Sequence, residues 1–281
     1  MDESPASVGS ATPEGVFCAD SLEMLARVPD GSLDLVYIDP PFRTGKTQRL
    51  DSRTGKQILS SHSYRDDMAR EEYLDWLEHN LREIHRALKE TGSLYLHLDW
   101  HMAAHARLLC DQVFGEDRFL NEIIWAYDFG GRARDRWAAK HDNILWYAKG
   151  PTHTFNRDAI KRIPYMAPGL AGPEKTARGK LPTSVWWMTI VPTAGLDRTG
   201  WPTQKPRALL ERIISASSNP GELVADFFSG SGTTAVCAAS LGRRYLVSDR
   251  DQAAVAITTR RLECDRSGAT FRPSKAKTKG S

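Results

Sequence analysis

At 281 residues, the chain suits one large α/β domain carrying an insertion, or two small ones. Its 41% hydrophobic and 26% charged content is that of an ordinary folded protein, and no run of about 18 apolar residues is present to span a membrane. The net charge of +3 is small but unevenly spread. Residues 43–65 carry six basic side chains against one acid, and residues 128–180 carry eleven against five. Such segments on a nearly neutral chain read either as solvated loops or as a localised surface for a polyanion. Cys18, Cys110, Cys237 and Cys264 form no C-x-x-C pair, which argues against a zinc ribbon or disulfide framework and makes a reducing cytoplasm the expected setting. The eight histidines show no ligand spacing, so no metal is expected.

In chain order, "MDESPASVGSATPEG" lacks the basic and apolar regions of a signal peptide, and residues 1–14 read as a disordered tail. "GVFCA" (15–19) reads as a strand and "SLEMLARV" as a helix after it. "LDLVYID" (33–39) is a buried strand that Pro40 and Pro41 forbid from continuing. "REEYLDWLEHNLREIHRALKE" places Tyr73, Leu74, Leu77, Leu81, Ile84 and Leu88 on one helical face and should end at Thr91-Gly92. "SLYLHLD" (93–99), a helix in "MAAHARLLCDQVF", then "EIIWAYD" (122–128) and "ILWYAK" (144–149) follow. Residues 151–200 break this rhythm with Pro151, Pro164, Pro168, Pro173, Pro182 and Pro192, and read as an inserted lobe whose basic approach begins near 128. The alternation resumes with a helix in "PRALLERIISASS", the strand "ELVADFF" (222–228), a helix in "GTTAVCAASLG" and the strand "RYLVSD" (244–249). Residues 267–281 read as a basic disordered tail. Strands alternating with helices predict a mostly parallel sheet covered on both faces.

Two stretches carry chemistry. In "LVADFFSGSGTTAVCAASLGRRYLVSD", Gly230, Gly232 and Ala235 fit G-x-G-x-x-[GA] between a strand and a helix, and Asp249 ends the next strand, where an acid can accept from ribose hydroxyls. The motif lies late in the chain, so the sheet must be completed by earlier strands, with the "DPPF" strand beside the glycine strand and both opening on one crevice.

In this order, "DPPF" (39–42) and "DFFSGSGTT" (226–234) resemble the S-adenosylmethionine-dependent DNA amino-methyltransferases of the permuted β group, which modify adenine N6 or cytosine N4. The resemblance covers roughly residues 15–265 and extends to "FCADSLEML", "KHDNILWYAKG" and "WPTQKPRALLERII", where Trp201 replaces the family's usual histidine. It implies a Rossmann-like methyltransferase fold: a mostly parallel seven-stranded sheet, a catalytic half (15–150), a mobile DNA-facing loop (43–65), a target-recognition lobe (151–200) and a cofactor-binding half (201–266). It further implies a catalytic set of Asp39, Pro40, Pro41 and Phe42. The cofactor set would be Asp20, Lys205, Asp226, Phe227, Phe228, Ser229, Gly230, Gly232, Thr233, Thr234 and Asp249. Arg43, Lys46, Arg132, Arg134, Arg136 and Lys140 are the candidates for contact with double-stranded DNA.

The chemistry suits these residue types. An exocyclic amino group delocalises its lone pair into the ring, so it needs acceptors for its N–H groups as the methyl arrives. Asp39 and the Pro40 carbonyl can supply them, and the prolines hold them fixed. Phe42 offers a ring to a base flipped from the duplex. Plainer readings stand beside these: Asp39 as a turn cap, Phe42 as core, Lys205 as a surface lysine, and Asp20 as the N-cap of "SLEML". Trp186 and Trp187 fit either the core of the lobe or a partner surface. No cysteine follows a proline, which excludes the nucleophile of cytosine-C5 methylation. The acid at 39 favours adenine over the serine-bearing cytosine-N4 enzymes. A catalytically silent DNA-binding protein and a nicotinamide oxidoreductase are the remaining rivals. Many members of the family dimerise or act beside a restriction endonuclease, and neither a homodimer nor a cognate endonuclease is decided by this sequence.

Overall fold

The computed structural model describes residues 11–41, 69–130, 132–192, 195 and 197–271. Phe42, Arg43 and Lys46, with the rest of the loop expected over 43–65 and most of both expected tails, lie outside the described residues.

One eight-stranded sheet organises the chain, in the order β1-β8-β7-β2-β3-β5-β4-β6. The strands are β1 (Gly15–Cys18), β2 (Leu33–Ile38), β3 (Leu88–Asp99), β4 (Phe119–Ala126), β5 (His141–Ala148), β6 (Val185–Trp187), β7 (Leu223–Asp226) and β8 (Arg244–Asp249). All seven expected strands are present. The eighth, β6, comes from the insertion and pairs parallel with β4 through Ile124, Trp125 and Ala126. β5 alone runs against its neighbours, antiparallel to both β3 and β4. The helices are α1 (Ser21–Leu25), α2 (Arg70–Ala87), α3 (Ala103–Phe114), α4 (Pro173–Arg178), α5 (Arg207–Ser217), α6 (Thr233–Ser240) and α7 (Gln252–Ser267).

β2 is buried along its whole length because it lies between β7 and β3. Its side chains alternate between faces, as the two-residue strand period requires. Val36 and Ile38 join the core under α1, α2 and α3, whereas Leu35 and Tyr37 join the core under α5 and α6. The stripe Tyr73, Leu77, Leu81 and Ile84 of α2 is buried as its spacing predicted; truncating Leu81 to alanine would cost about 2–5 kcal/mol. The helix ends earlier than expected. Leu88 already pairs with Leu33, the Ala87 carbonyl accepts from Ser32, and Glu90 bonds to Gly150, so the backbone of "LKE" finds its partners in the sheet. Glu14, assigned to the N-terminal tail, instead forms an ion pair with Arg244. The lobe over 151–200 holds two short 3₁₀ turns, α4, an Ile163–Lys180 bridge and β6. Trp186 is buried against α5, whereas Trp187 is exposed.

Candidate active site

Asp39 follows β2, Asp99 ends β3, Asp226 ends β7 and Asp249 ends β8, so four carboxylates stand at the C-terminal ends of four parallel strands. The strand order reverses between β2 and β7, and a crevice outside such a reversal is where parallel sheets bind ligands. The DPPF strand therefore lies beside the glycine strand, as the motif order required.

The glycine turn is held from several sides. Gly230 and Gly232 have φ of +49° and +75°, which side-chain-bearing residues avoid. A Cβ on Gly230 would stand 2.9 Å from the Trp201 indole nitrogen, and one on Gly232 would overlap Thr258. The absence of side chains at both glycines thus serves close protein packing. Asp226 accepts from Thr234 Oγ1 (2.6 Å) and Phe228 N (3.0 Å). Burial, with repulsion from Asp39 and Asp249, overcomes these bonds and pushes Asp226 up to about 7. Asp249 accepts from Gly230 N (2.8 Å) and Asp251 N (2.8 Å), and burial raises its carboxyl despite both bonds. Arg261 of α7, which the sequence reading passed over, is buried and donates to Ser231 O (2.7 Å) and Thr233 Oγ1 (3.1 Å).

Lys205 is not a surface lysine. Its ammonium forms an ion pair with Asp39 Oδ2, the side chains being 10% and 14% exposed respectively. Its carbonyl accepts from Thr233 Oγ1 (3.1 Å), tying the segment before α5 to the glycine turn. The other Asp39 oxygen, Oδ1, is buried and has no hydrogen-bond partner among the described residues. Beside this pair lies a network whose strand residues looked like ordinary sheet positions. Tyr37 OH and His97 Nδ1 lie 2.8 Å apart, His97 Nε2 meets Asp142 Oδ2 at 3.1 Å, and Tyr127 OH donates to Asp142 Oδ1 at 3.0 Å. Burial pushes Asp142 up, but the His97 bond and charge, the Lys205 charge and the Tyr127 hydroxyl together hold it below the usual carboxylate range. Burial, then the charges of Asp39, Asp226 and Asp142, raise Tyr37 well above an ordinary phenol.

The expected cofactor residues divide. Asp20 caps α1 through Leu22 N (3.0 Å) within a capping box with Glu23, so its structural role is realised. The Phe227 ring is packed in the main core, which leaves its backbone to meet a ligand. Phe228 is partly buried, with Trp76 edge-on at 5.5 Å. Part of the remaining set keeps hydrogen-bonding capacity that S-adenosylmethionine could use. Ser229 Oγ is buried with no partner among the described residues, the first N–H groups of α6 have no intrahelical acceptor, and each Asp249 oxygen retains acceptor capacity. Arg132, Arg134 and Arg136 are exposed, and Lys140 donates to the Asp128 carbonyl at 2.8 Å. Among the described residues no cluster of His, Cys, Asp and Glu is arranged to hold a metal, and no helix is long and apolar enough to cross a membrane.

The chain is 32% identical over 257 residues to the DNA adenine methyltransferase YhdJ of Escherichia coli (strain K12), covering 88% of this chain and 82% of that protein. It is 30% identical to the type II methyltransferase M.HpaI of Haemophilus parainfluenzae, covering 90% and 75%. Its fold is that of the cytosine-N4-specific PvuII DNA methyltransferase (TM-score 0.65, 20% identity, 89% of this chain and 87% of the other). It is also that of TTHA0409 from Thermus thermophilus, a putative DNA modification methylase complexed with S-adenosyl-L-methionine (TM-score 0.62, 22% identity, 95% and 100%). The sequence pattern of the family described as DNA methylase, the N6 and N4 methyltransferases, matches residues 33–260, and the chain belongs to that family.

Proposed function

We propose that this enzyme is a sequence-specific adenine-N6 methyltransferase that takes its methyl group from S-adenosylmethionine and acts on a base flipped out of double-stranded DNA in the cytoplasm. The observation that carries the reading is the unequal treatment of the two Asp39 oxygens: Oδ2 is fixed by Lys205, and Oδ1 is buried with no donor among the described residues. An unsatisfied buried acceptor costs about 1–3 kcal/mol, which a substrate N–H would offset. The adenine amino group has two N–H donors, for Asp39 Oδ1 and the Pro40 carbonyl. Both acceptors favour the pyramidal nitrogen whose lone pair is freed for the new bond. Bound S-adenosylmethionine supplies an electrophilic methyl group. As the C–N bond forms and the methyl–sulfur bond breaks to leave S-adenosylhomocysteine, the nitrogen becomes more acidic, and Asp39 Oδ1 is the acceptor toward which its proton is drawn.

Lys205, expected to contact the cofactor, acts in this reading on Asp39: it orients the carboxylate and leaves one oxygen for the base. Asp249 receives the ribose hydroxyls, and the turn from Ser229 to Thr234 faces the rest of the cofactor. Phe42 stacks on the flipped base, and Arg132, Arg134 and Arg136 meet the DNA backbone or guanine edges. A cytosine-N4 enzyme would share the fold, and the likeness to the PvuII enzyme bears on the fold alone, so the acid at 39 weighs for adenine. The test is to methylate mixed-sequence DNA with labelled cofactor and identify the product nucleoside by mass spectrometry. N6-methyladenine is expected, and N4-methylcytosine would overturn the choice of base.

A further inference from the structure

The connection between β4 and β5 carries a side chain for which the fold has no use. Trp137 is 97% exposed, and Phe129, on the other limb of the same connection, is 64% exposed. A single exposed apolar side chain is ordinary, but two exposed aromatic rings on one connection, among exposed arginines, suit a partner surface. The neighbours of Trp137 name the partner's charge. Arg132, Arg134 and Arg136 are exposed beside it, and the nearby acid, Asp135, makes only a 3.9 Å contact with Arg136. The foot of the connection is anchored. Tyr127 N donates to Lys140 O (3.0 Å), and Lys140 Nζ donates to Asp128 O (2.8 Å). Tyr127 OH then reaches Asp142, and Asp142 reaches Tyr37 through His97, two residues before Asp39. The exposed indole thus springs from the crevice end of the sheet, on a base hydrogen-bonded through to the catalytic strand.

Resting on the reading of the enzyme as one that flips its target base, we propose that Trp137 is the duplex-opening wedge: its indole enters the stack at the position the flipped nucleotide vacates, while the flanking arginines hold the phosphates. An aromatic ring is suited to this because every base offers it a π-face, and apolar side chains inserted between base steps are a general means of unstacking a duplex. The arginines and the indole divide the work, the former giving salt-dependent affinity and the latter stabilising the opened state.

The experiment uses the full-length protein and a duplex containing the site the wild type methylates, with 2-aminopurine at the target position as the reporter of flipping. Wild type should raise the 2-aminopurine emission on binding. Trp137→Ala should reduce that rise and lower kcat/KM by between about fivefold and about a hundredfold, the range that loss of one stacked base spans. Trp137→Phe should restore most of both, and calorimetry should give an unchanged affinity for S-adenosylmethionine. A duplex lacking the base opposite the target, in which opening is already easy, should rescue Trp137→Ala. Emission and turnover within twofold of wild type in Trp137→Ala would overturn the wedge and leave the methyltransferase reading intact. A change of molecular mass in gel filtration with flipping unaltered would overturn it too, by giving the indole to a second copy of the chain. Failure of wild type to methylate any DNA would instead remove the reading on which the wedge rests.

Discussion

Replacing Asp39 by alanine separates what the carboxylate does for the fold from what it does for the reaction. In the fold, Asp39 neutralises the Lys205 ammonium, and both side chains are largely buried. Removing one partner of a buried pair costs about 3–5 kcal/mol when nothing else compensates. Here two things compensate. Asp142 is near enough to Lys205 for the charges to interact, and losing Asp39 relieves the repulsion it exerts on Asp226. The expected net loss is therefore smaller, about 1–3 kcal/mol, and is read from the midpoint of urea unfolding. For the proposed reaction, one preorganised acceptor disappears, and the rate is expected to fall by about 10²–10³, read by single-turnover transfer of labelled methyl with cofactor affinity checked by calorimetry. Asp39→Asn should be similarly impaired, because the amide can turn a donor toward the substrate. Asp39→Ser should lose rate without becoming a clean cytosine enzyme, since pocket size also decides which base fits. The double variant Asp39→Ala/Lys205→Met distinguishes the two roles: with both charges gone, stability should return to within about 1 kcal/mol of wild type while methyl transfer stays lost. Folded, cofactor-binding Asp39→Ala with at least half the wild-type rate would refute the reasoning.

Asp226, held protonated up to about pH 7 in the fold, binds a proton that the unfolded chain has released above about pH 4. The folded form is thus favoured less as pH rises between these values, by up to about 4 kcal/mol for this group; Asp226→Asn should flatten the decline in thermal midpoint between pH 5 and 8, and an unchanged slope would contradict it. Gly232→Ala places a methyl group against Thr258 at positive φ and should destabilise by about 2–4 kcal/mol; a urea midpoint equal to wild type would show that the turn relaxes freely. Reversing Arg132 and Arg134 to glutamate should weaken DNA binding, lower the slope of log affinity against log salt by about 2, and leave cofactor affinity unchanged; an affinity indifferent to salt would exclude the polyanion surface.

The sheet was legible because its strands are apolar runs closed by turn chemistry, and "DPPF" and the glycine turn were legible because each encodes a backbone constraint. What stayed hidden has physical causes. β6 is three residues long and lies in a proline-rich stretch, and its backbone is strand only because β4 offers an open edge. α7 escaped notice because its buried positions are Ala254, Thr258, Arg261 and Leu262, only one of them a large apolar side chain, so the helical period is not carried by hydrophobicity. The end of α2 was placed too late because helix propensity continues through "LKE" while tertiary pairing does not. The Lys205–Asp39 pair, 166 positions apart, and the His97–Asp142 contact, 45 apart, leave no local trace at all.

The placement of the Asp39 carboxylate follows from packing more than from the site residues. In the β2–β7 ladder Leu35 pairs with Val224 and Val36 with Ala225, and extending that register brings Asp39 level with Phe228, next to the glycine turn. What fixes the register is that β2 is buried on both faces: Leu35 and Tyr37 fill one core, and Val36 and Ile38 fill the other. A slip by one residue would exchange these sets, putting the Tyr37 phenol among aliphatic side chains away from His97 and moving Asp39 off Lys205. Side chains deep in two separate cores therefore set the position of a carboxylate at the crevice. The prolines after it add local stiffness to a position that the strand has already chosen.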